Sequence, residues 1–356
     1  MKCIVMTGGG SAGHITPNLA LIPFFQEEGY NIHYIGSENG IEHKLISKLE
    51  GVAFHPIASG KLRRYHSIKN LTDPFRVLLG FLQSWRHLHK IKPDIVFSKG
   101  GFVSVPVVLS AWVSRVPVIC HESDMSPGLA NRITMLFAKR IAVTFPECME
   151  VIGKKAVLTG TAIRAALFSG SRTEGRNIMG LKNDDRPVLL VMGGSQGAKS
   201  INHALRCALP KLTEWIHIYH ICGSNNTDEA YNDIPGYKQI EYADQALPDI
   251  MAATDIALSR AGSNSICELH ALRIPMLLVP YPKGASRGDQ IENAENFYRK
   301  GLCHIILQED LSADKLSDAL WQLYLSREAM VETMAKNGVL QGTQAILSLI
   351  HQYETV

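Results

Sequence analysis

The chain lacks the cysteine patterns and long apolar runs that mark metal-binding, disulfide-bonded and membrane-spanning proteins. Its seven cysteines include no Cys-x-x-Cys pair and no His/Cys metal spacing, so reduced core thiols are expected. No stretch reaches the ~18 consecutive apolar residues of a spanning helix. The richest stretch, residues 102–120, is interrupted by Pro106, Arg115 and Pro117. The first apolar run ends at Met6, which predicts no signal peptide, so any membrane contact is expected to be peripheral.

A strong charge of one sign and an Asp-x-Asp motif are also missing. The net charge is +3 over 356 residues, which gives no support for nucleic-acid binding. Many nucleotide-sugar enzymes hold a divalent cation with Asp-x-Asp, and this chain has none. We therefore predict no metal site and no required cofactor, while a divalent cation in turnover stays open.

What the chain does have is an alternation of short β-rich runs with helical patterns. The predicted strands are residues 3–6, 32–35, 95–98, 116–120, 140–144, 188–192, 216–221, 240–242, 256–259 and 276–279. The predicted helices are residues 16–28, 73–91, 105–114, 127–137, 198–210, 247–253, 265–271, 289–300 and 343–353. This order predicts α/β architecture with doubly wound parallel sheets.

The pattern restarts half way along the chain, which indicates an internal duplication. Residues 93–101 (PDIVFSKGG) are echoed by residues 254–262 (TDIALSRAG), and a helix and a Val/Ile-Pro strand follow each. The first half is longer because of an insertion between residues 52 and 92. The halves meet near residues 160–164, and the polar residues 169–186 are interpreted as a linker or loop.

Two glycine-rich loops follow predicted strands. Residues 8–14 (GGGSAGH) and 193–198 (GGSQGA) let the backbone approach a ligand, and a following helix N-terminus favours anions. His14 is placed to accept a proton near neutral pH. The alternatives are tight turns that need glycine anyway and a helix-capping or surface histidine.

Polar residues follow other predicted strands. Residues 259–268 open a helix whose N-terminus can stabilise a leaving diphosphate, and Glu268 can accept hydrogen bonds from ribose hydroxyls. Residues 121–124 (HESD) point toward a ligand at the end of a buried strand, and Arg164 can reach a phosphate from the hinge. The competing interpretations are a plain helix-dipole carboxylate and a surface arginine.

Residues 61–92 combine basic and apolar side chains. They contain eight Lys or Arg and one acid, Asp73. Large apolar residues recur at helical spacing, namely Phe75, Leu78, Leu79, Leu82 and Trp85. We expect part of this stripe to be core. The rest is either a solvated basic face or a patch that meets anionic lipid head groups.

Six motifs in order resemble the MurG family, the UDP-N-acetylglucosamine–lipid I N-acetylglucosaminyltransferases of peptidoglycan synthesis. They are residues 7–17 (TGGGSAGHITP), 99–104 (KGGFVS), 121–129 (HESDMSPGL), 193–198 (GGSQGA), 259–268 and 289–294 (DQIENA). The resemblance implies a GT-B fold, with two Rossmann-like domains facing a central cleft. Residues 1–163 plus 341–356 would bind acceptor and membrane, and residues 164–340 would bind UDP-N-acetylglucosamine.

The resemblance also implies site residues. The donor-binding positions would be Ser11, Ala12, Gly13, Asp124, Arg164, Ser195, Ala243, Ser263, Asn264, Ser265, Glu268 and Gln290. The acceptor and membrane positions would be Gly100, Gly101, Phe102, Arg76, Trp85 and Arg86. Asp124 stands where some members have Asn, and Phe102 where some have Tyr.

The reaction implied is an inverting transfer at the cytoplasmic face of the membrane. His14 would take the proton from the C4 hydroxyl of N-acetylmuramic acid in undecaprenyl-diphosphate-linked N-acetylmuramoyl-pentapeptide. That oxygen would displace UDP from the donor. Three alternatives remain: a UDP-N-acetylglucosamine 2-epimerase, a glycolipid synthase with a diacylglycerol acceptor, and a non-catalytic nucleotide-sugar binding module.

Overall fold

The chain folds into two compact units. The computed structural model describes residues 2–60, 69–181, 184–193, 197–243, 245–284, 287–338 and 342–354. Unit 1 comprises Met1–Arg164 and Gln341–Val356, and unit 2 comprises Ala165–Leu340. Among the helices of these described ranges, none has the length and hydropathy needed to cross a bilayer.

Unit 1 is built on a parallel sheet of seven strands. In chain order, strands β1 to β7 are Cys3–Thr7, Asn31–Ser37, Val52–Ile57, Ile95–Ser98, Val118–Glu122, Arg140–Val143 and Ala156–Leu158. Their order across the sheet is β3-β2-β1-β4-β5-β6-β7. In the register, Met6 of β1 lies between Tyr34 of β2 and Phe97 of β4. All five residues of β1 are buried, as expected for a parallel strand covered on both faces.

Helices cover the sheet of unit 1. Helices α1 to α6 are Thr16–Glu27, Ile41–Ile46, Lys69–Ile91, Ser104–Val113, Leu129–Phe137 and Glu147–Ile152. The C-terminal helix of the chain, Thr343–Tyr353, also belongs to unit 1. It buries Ile346 and Ile350 in the same apolar cluster as Ile4 and Phe25. The last segment of sequence thereby completes the first core.

Unit 2 repeats the plan with six parallel strands. Strands β8 to β13 are Val188–Met192, His217–Ile221, Tyr237–Ile240, Ile256–Ser259, Met276–Leu278 and His304–Ile305. Their order is β10-β9-β8-β11-β12-β13, the same as that of the first six strands of unit 1. Helices α7 to α12 are Arg172–Met179, Lys199–Leu212, Leu247–Ala253, Ser263–Ala271, Asp289–Arg299 and Ala313–Lys336, and the C-terminal helix above is α13. Equal strand order in both units agrees with the duplication read from the sequence.

The structure corrects three sequence predictions. Residues 169–186 are not a plain linker, because α7 lies within them. The strand predicted at residues 240–242 is instead β10, Tyr237–Ile240, so the polar residues after it belong to a loop. The apolar stripe of α3 is not core: Phe75, Leu78, Leu79, Leu82 and Trp85 are all exposed.

Candidate functional site

The first glycine loop follows β1 and is tied to two neighbouring loops. The Gly9 N–H donates to the Gly100 carbonyl at 3.3 Å, and the Gly10 N–H donates to Glu42 Oε2 at 3.2 Å. These two amides are committed to the protein. Residues 11–13, the positions predicted from the sequence, follow these two amides in the loop.

His14 lies in a 3-10 turn, Ala12–His14, directly before α1. A Cβ on Gly101, whose φ is +84°, would lie 2.2 Å from the Gly9 carbonyl oxygen and 3.2 Å from His14 Cδ2. The two loops pack too closely for any side chain at residue 101. Ser11 and Gly13 are exposed and His14 is half-buried, so the turn presents its residues at the carboxyl edge of the sheet.

Glu42 supports the first glycine loop through hydrogen bonds, and the sequence analysis did not identify this residue. Its side chain is fully buried, at 0% exposure. Oε1 accepts hydrogen bonds from the Ser37 N–H at 3.1 Å and from the Ser37 hydroxyl, while Oε2 accepts from Gly10. A Cβ on Gly9 would lie 2.4 Å from Glu42 Cδ. The carboxylate therefore fixes the loop that carries His14.

The last residue of β5, Glu122, places a buried carboxylate at the same edge. Glu122 Oε1 accepts from the Asp124 N–H at 2.9 Å, and Oε2 accepts from Asn131 Nδ2 at 2.7 Å. Burial and the nearby Asp124 raise the pKa of Glu122, and the Lys99 ammonium opposes that rise. Asp124 is half-buried and lies where the turn meets solvent.

His121, the first residue of that motif, has a structural role. It is 0% exposed, and its Nε2 lies 3.0 Å from the Gly160 carbonyl, to which it donates. Burial and the charge of Lys99 hold the pKa of His121 well below its usual value. The imidazole is therefore neutral at physiological pH.

In unit 2, the loop between β11 and α10 is organised by Arg260. This guanidinium is 5% exposed and lies 4.2 Å from the centre of the Tyr281 ring. Its Nη1 donates to the Val279 carbonyl at 3.0 Å, and its Nη2 donates to Ser200 Oγ and Gln308 Oε1, both at 2.7 Å. One side chain thus connects the ends of β11 and β12 with the helix that follows the second glycine loop.

Helix α10 begins at Ser263, and Asn264, Ser265 and Glu268 follow in its first two turns. Within the described part of the chain, no side chain caps its N-terminus. Gly262 precedes the helix, and a Cβ there would meet nothing within 4 Å. The first N–H groups of α10 can therefore receive an anion. Glu268 is 6% exposed, so its carboxylate lies within the site rather than on a solvated face.

Helix α11 joins this loop. Asn293 is 0% exposed, and its Nδ2 donates to the Ala261 carbonyl at 3.3 Å. Gln290 Oε1 accepts from the Tyr281 N–H at 3.1 Å. Two motifs that are separate in sequence, residues 259–268 and 289–294, therefore form one cluster at the carboxyl edge of the second sheet.

The remaining predicted positions lie on further elements. Ala243 lies in the loop between β10 and α9, and Arg164 is the half-buried last residue of its segment of unit 1. Arg76, Trp85 and Arg86 are exposed on α3. Ser195 lies outside the described residues.

Helix α3 docks through small and polar residues. A Cβ on Gly80 would lie 2.1 Å from the Ala58 carbonyl oxygen, Gln83 Oε1 accepts from the Ala58 N–H at 2.7 Å, and Ser84 is fully buried. The neighbouring α4 exposes Trp112, whose ring lies 5.1 Å from that of Phe137 in α5. Among the described residues of unit 1, none covers the apolar face of α3, whose five large side chains stay exposed.

Both halves of the chain match one enzyme family. Residues 4–143 match the glycosyltransferase family 28 N-terminal domain, and residues 188–350 match its C-terminal domain. A UDP-N-acetylglucosamine–N-acetylmuramyl-(pentapeptide) pyrophosphoryl-undecaprenol N-acetylglucosamine transferase of Clostridium botulinum is 49% identical over 354 residues, covering 99% of each chain. The Geobacillus thermodenitrificans protein of that name is 49% identical over 350 residues, covering 98% of each.

Solved structures give the same fold. MurG of Acinetobacter baumannii superposes with a TM-score of 0.77 at 24% identity, over 99% of this chain and 100% of that one. A UDP-GlcNAc 2-epimerase of Neisseria meningitidis bound to UDP-GlcNAc superposes with a TM-score of 0.68 at 14% identity, over 99% and 100%. These likenesses confirm two parallel-sheet domains of GT-B type. The family matches and the full-length identity to named transferases confirm the resemblance drawn from the motifs: the chain belongs to glycosyltransferase family 28.

Proposed function

We propose that this chain transfers N-acetylglucosamine from UDP-N-acetylglucosamine to undecaprenyl-diphosphate-linked N-acetylmuramoyl-pentapeptide, converting lipid I into lipid II. The observation that carries the proposal is the 49% identity, over 99% of both chains, to a transferase of that name. A relationship of that extent includes every motif cluster described above.

The donor is assigned to unit 2. Its β11–α10 loop offers a helix N-terminus for a diphosphate, buried Glu268 for the ribose and Gln290 for the sugar. The family resemblance also implies donor contacts at Arg164, Ser195 and Ala243, and at Ser11, Ala12, Gly13 and Asp124. Helix-terminal N–H groups can stabilise the charge on departing UDP through fixed dipoles.

His14 is assigned as the general base. The turn that carries His14 packs against Gly101 and follows the loop that Glu42 supports, so the imidazole is positioned before substrate binds. It would accept the proton of the attacking C4 hydroxyl as that oxygen bonds to the anomeric carbon, and UDP would leave with inversion. A positioned base of this kind typically contributes ~10²–10⁴ in rate.

We assign the protein to the cytoplasmic face of the cell membrane as a peripheral protein. The five exposed apolar side chains of α3 are flanked by Arg76 and Arg86, which are exposed, and Trp112 of α4 extends the apolar surface. Exposed apolar side chains flanked by cations are suited to binding an anionic lipid surface. Lys61, Arg63 and Arg64, which belong to the same basic segment, lie outside the described residues.

The test is transfer of labelled N-acetylglucosamine to a lipid I analogue, with UDP-N-acetylgalactosamine as the control donor. Lipid-linked product from UDP-N-acetylglucosamine alone is expected. The epimerase alternative shares the fold at 14% identity only, and it predicts release of UDP-N-acetylmannosamine without any lipid acceptor. That product, with no lipid-linked sugar, would overturn the proposal.

A further inference from the structure

Three side chains of unit 2 form a closed triangle of hydrogen bonds. Arg260 Nη2 donates to Ser200 Oγ and to Gln308 Oε1, both at 2.7 Å. The Ser200 hydroxyl donates in turn to the same Gln308 oxygen, at 2.9 Å. A guanidinium can only donate, and the hydroxyl gives its own proton to Gln308, so both neighbours of Gln308 require an acceptor. The orientation of the Gln308 amide is therefore fixed, with its oxygen toward them.

The triangle joins three segments that are distant in the sequence. Ser200 is the second residue of α8, the helix that follows the second glycine loop. Arg260 directly follows β11 and stands three residues before the first residue of α10. Gln308 begins a 3-10 turn after β13, the edge strand of the sheet. The two loops of unit 2 that are assigned to the donor are thereby tied to each other and to this turn.

The remaining contacts of Arg260 are made with a different segment. Its Nη1 donates to the carbonyls of Val279 and Pro280 at 3.0 and 3.3 Å, and its guanidinium lies 4.2 Å from the centre of the Tyr281 ring. These contacts hold residues 279–281 but do not involve α8. The connection of Arg260 to α8 therefore depends on Ser200 and on the glutamine that accepts from both side chains.

We propose that Gln308 and Ser200 are positioning residues for donor binding, which act through Arg260 to fix the start of α8 relative to the start of α10. The proposal rests on the proposed function for the identity of the donor. A diphosphate that binds between two loops already in place does not have to order them, so the binding free energy is not spent on that ordering. Gln308 itself lies in none of the sequence motifs that predict the donor site.

Substitutions at residue 308 separate the acceptor from the shape of the side chain. Gln308→Met keeps a similar length and removes the acceptor, whereas Gln308→Glu keeps an acceptor oxygen for both donors. We expect Gln308→Met to weaken the calorimetric Kd for UDP, and to raise KM for UDP-N-acetylglucosamine, by at least about fivefold. Gln308→Glu should stay within about threefold of the wild type. The matched control is Gln322→Met, at an exposed glutamine of α12.

The division between KM and kcat distinguishes positioning from a merely structural role. A variant that only destabilises unit 2 lowers the active fraction, and hence the apparent kcat, while KM for the donor stays unchanged. KM for a lipid I analogue should also stay unchanged in Gln308→Met. The proposal would be overturned by an unaltered donor Kd and KM in Gln308→Met, or by an equal loss in Gln308→Glu. If Gln308→Met does not fold, Ser200→Ala carries the same expectation for donor Kd and KM.

Hydrogen exchange of the ligand-free proteins tests the triangle without any substrate. In Gln308→Met, the amides in the first two turns of α8 and α10 should exchange faster than in the wild type, and in Gln308→Glu they should not. This measurement still decides the positioning role if the wild-type chain neither binds UDP nor transfers sugar, an outcome that would refute the proposed function instead. Wild-type exchange of both helices in Gln308→Met would refute the positioning role.

Discussion

Replacing Glu42 by Gln is predicted to release the first glycine loop without removing any atom from the core. In the wild type, Oε1 accepts two hydrogen bonds from Ser37, and Oε2 accepts one from Gly10. A carboxamide has only one acceptor oxygen. Facing Ser37, that oxygen accepts two hydrogen bonds, whereas facing Gly10 it accepts one, so the Ser37 orientation is favoured. Its NH₂ group would then face the Gly10 N–H, so a charge-assisted hydrogen bond is replaced by two opposed donors.

The magnitude follows from that single lost interaction. A hydrogen bond to a buried charged group contributes about 1.5–3 kcal/mol. The loop carries His14, so if reaction needs this conformation, kcat should fall between about tenfold and a hundredfold, since ~1.4 kcal/mol is a factor of ten. The urea midpoint of unit 1 should fall as well.

The assays are release of UDP at saturating substrates and urea unfolding. Glu38→Gln provides the control, because Glu38 is an exposed acid in the same connection between β2 and α2. It should match the wild type in both measurements. A Glu42→Gln protein with wild-type kcat and midpoint would show that the loop keeps its conformation without the carboxylate, and the reasoning would be wrong.

Three further predictions concern other parts of the molecule. His14→Ala should lower kcat by about 10²–10⁴ while the calorimetric Kd for donor stays within about twofold; a near-wild-type kcat would exclude His14 as the base. Phe75→Glu/Leu82→Glu changes side chains that are 75% and 52% exposed, so it should leave Tm unchanged but weaken sedimentation with anionic vesicles at least tenfold. Leu325→Glu, at a 57% exposed position of unit 2, is its control, and an equal loss there would contradict a specific membrane face. Burial lowers the pKa of His220 from 6.5 to about 3, so its contribution to stability is complete above pH 6.5 and is lost as pH falls toward 3. In His220→Gln, the urea midpoint should fall less steeply with decreasing pH over that pH range. An unchanged slope would refute the assignment of this pH dependence to His220.

Strands were the most predictable elements, because a parallel strand buried on both faces is an uninterrupted apolar run. Residues 95–98, 188–192 and 256–259 are strands in the structure with the predicted limits. The glycine loops and the duplication followed from those runs, since each loop begins where a strand ends. The strand order of both units bears out the duplication.

Helix α7 was missed although its sequence carries both end signals. The Ser171 hydroxyl accepts from the Glu174 N–H, and Gly180 closes the helix in the left-handed conformation with φ +81°. A serine three residues before a glutamate, with a glycine six residues after that glutamate, is a capping pattern that the polar composition of the segment concealed. The long helix α12 begins in a similar way, at Ser312, which accepts from the Lys315 N–H.

The error on α3 has a different cause. Periodicity located an apolar face correctly, but it does not report which face of a helix meets the protein. The face that packs on unit 1 is set by the close approach at Gly80 and by the buried Ser84. The sequence pattern singles out neither residue. The apolar side therefore points away from unit 1, where an apolar stripe needs another partner.

Buried charges were the least predictable part of the site. Two of them, however, occupy equivalent positions in the duplicated halves. Lys99 and Arg260 each follow the serine that ends the strand next to the first strand of their sheet, and they are 1% and 5% exposed. Their surroundings differ. Arg260 donates to two carbonyls, a hydroxyl and an amide oxygen, all of which are neutral groups. The Lys99 ammonium lowers the pKa of the neighbouring Glu122, whereas the Asp124 carboxylate raises it. For the proposed function, this difference would favour a diphosphate at the carboxyl edge of the sheet of unit 2 and sugar hydroxyls at that of unit 1.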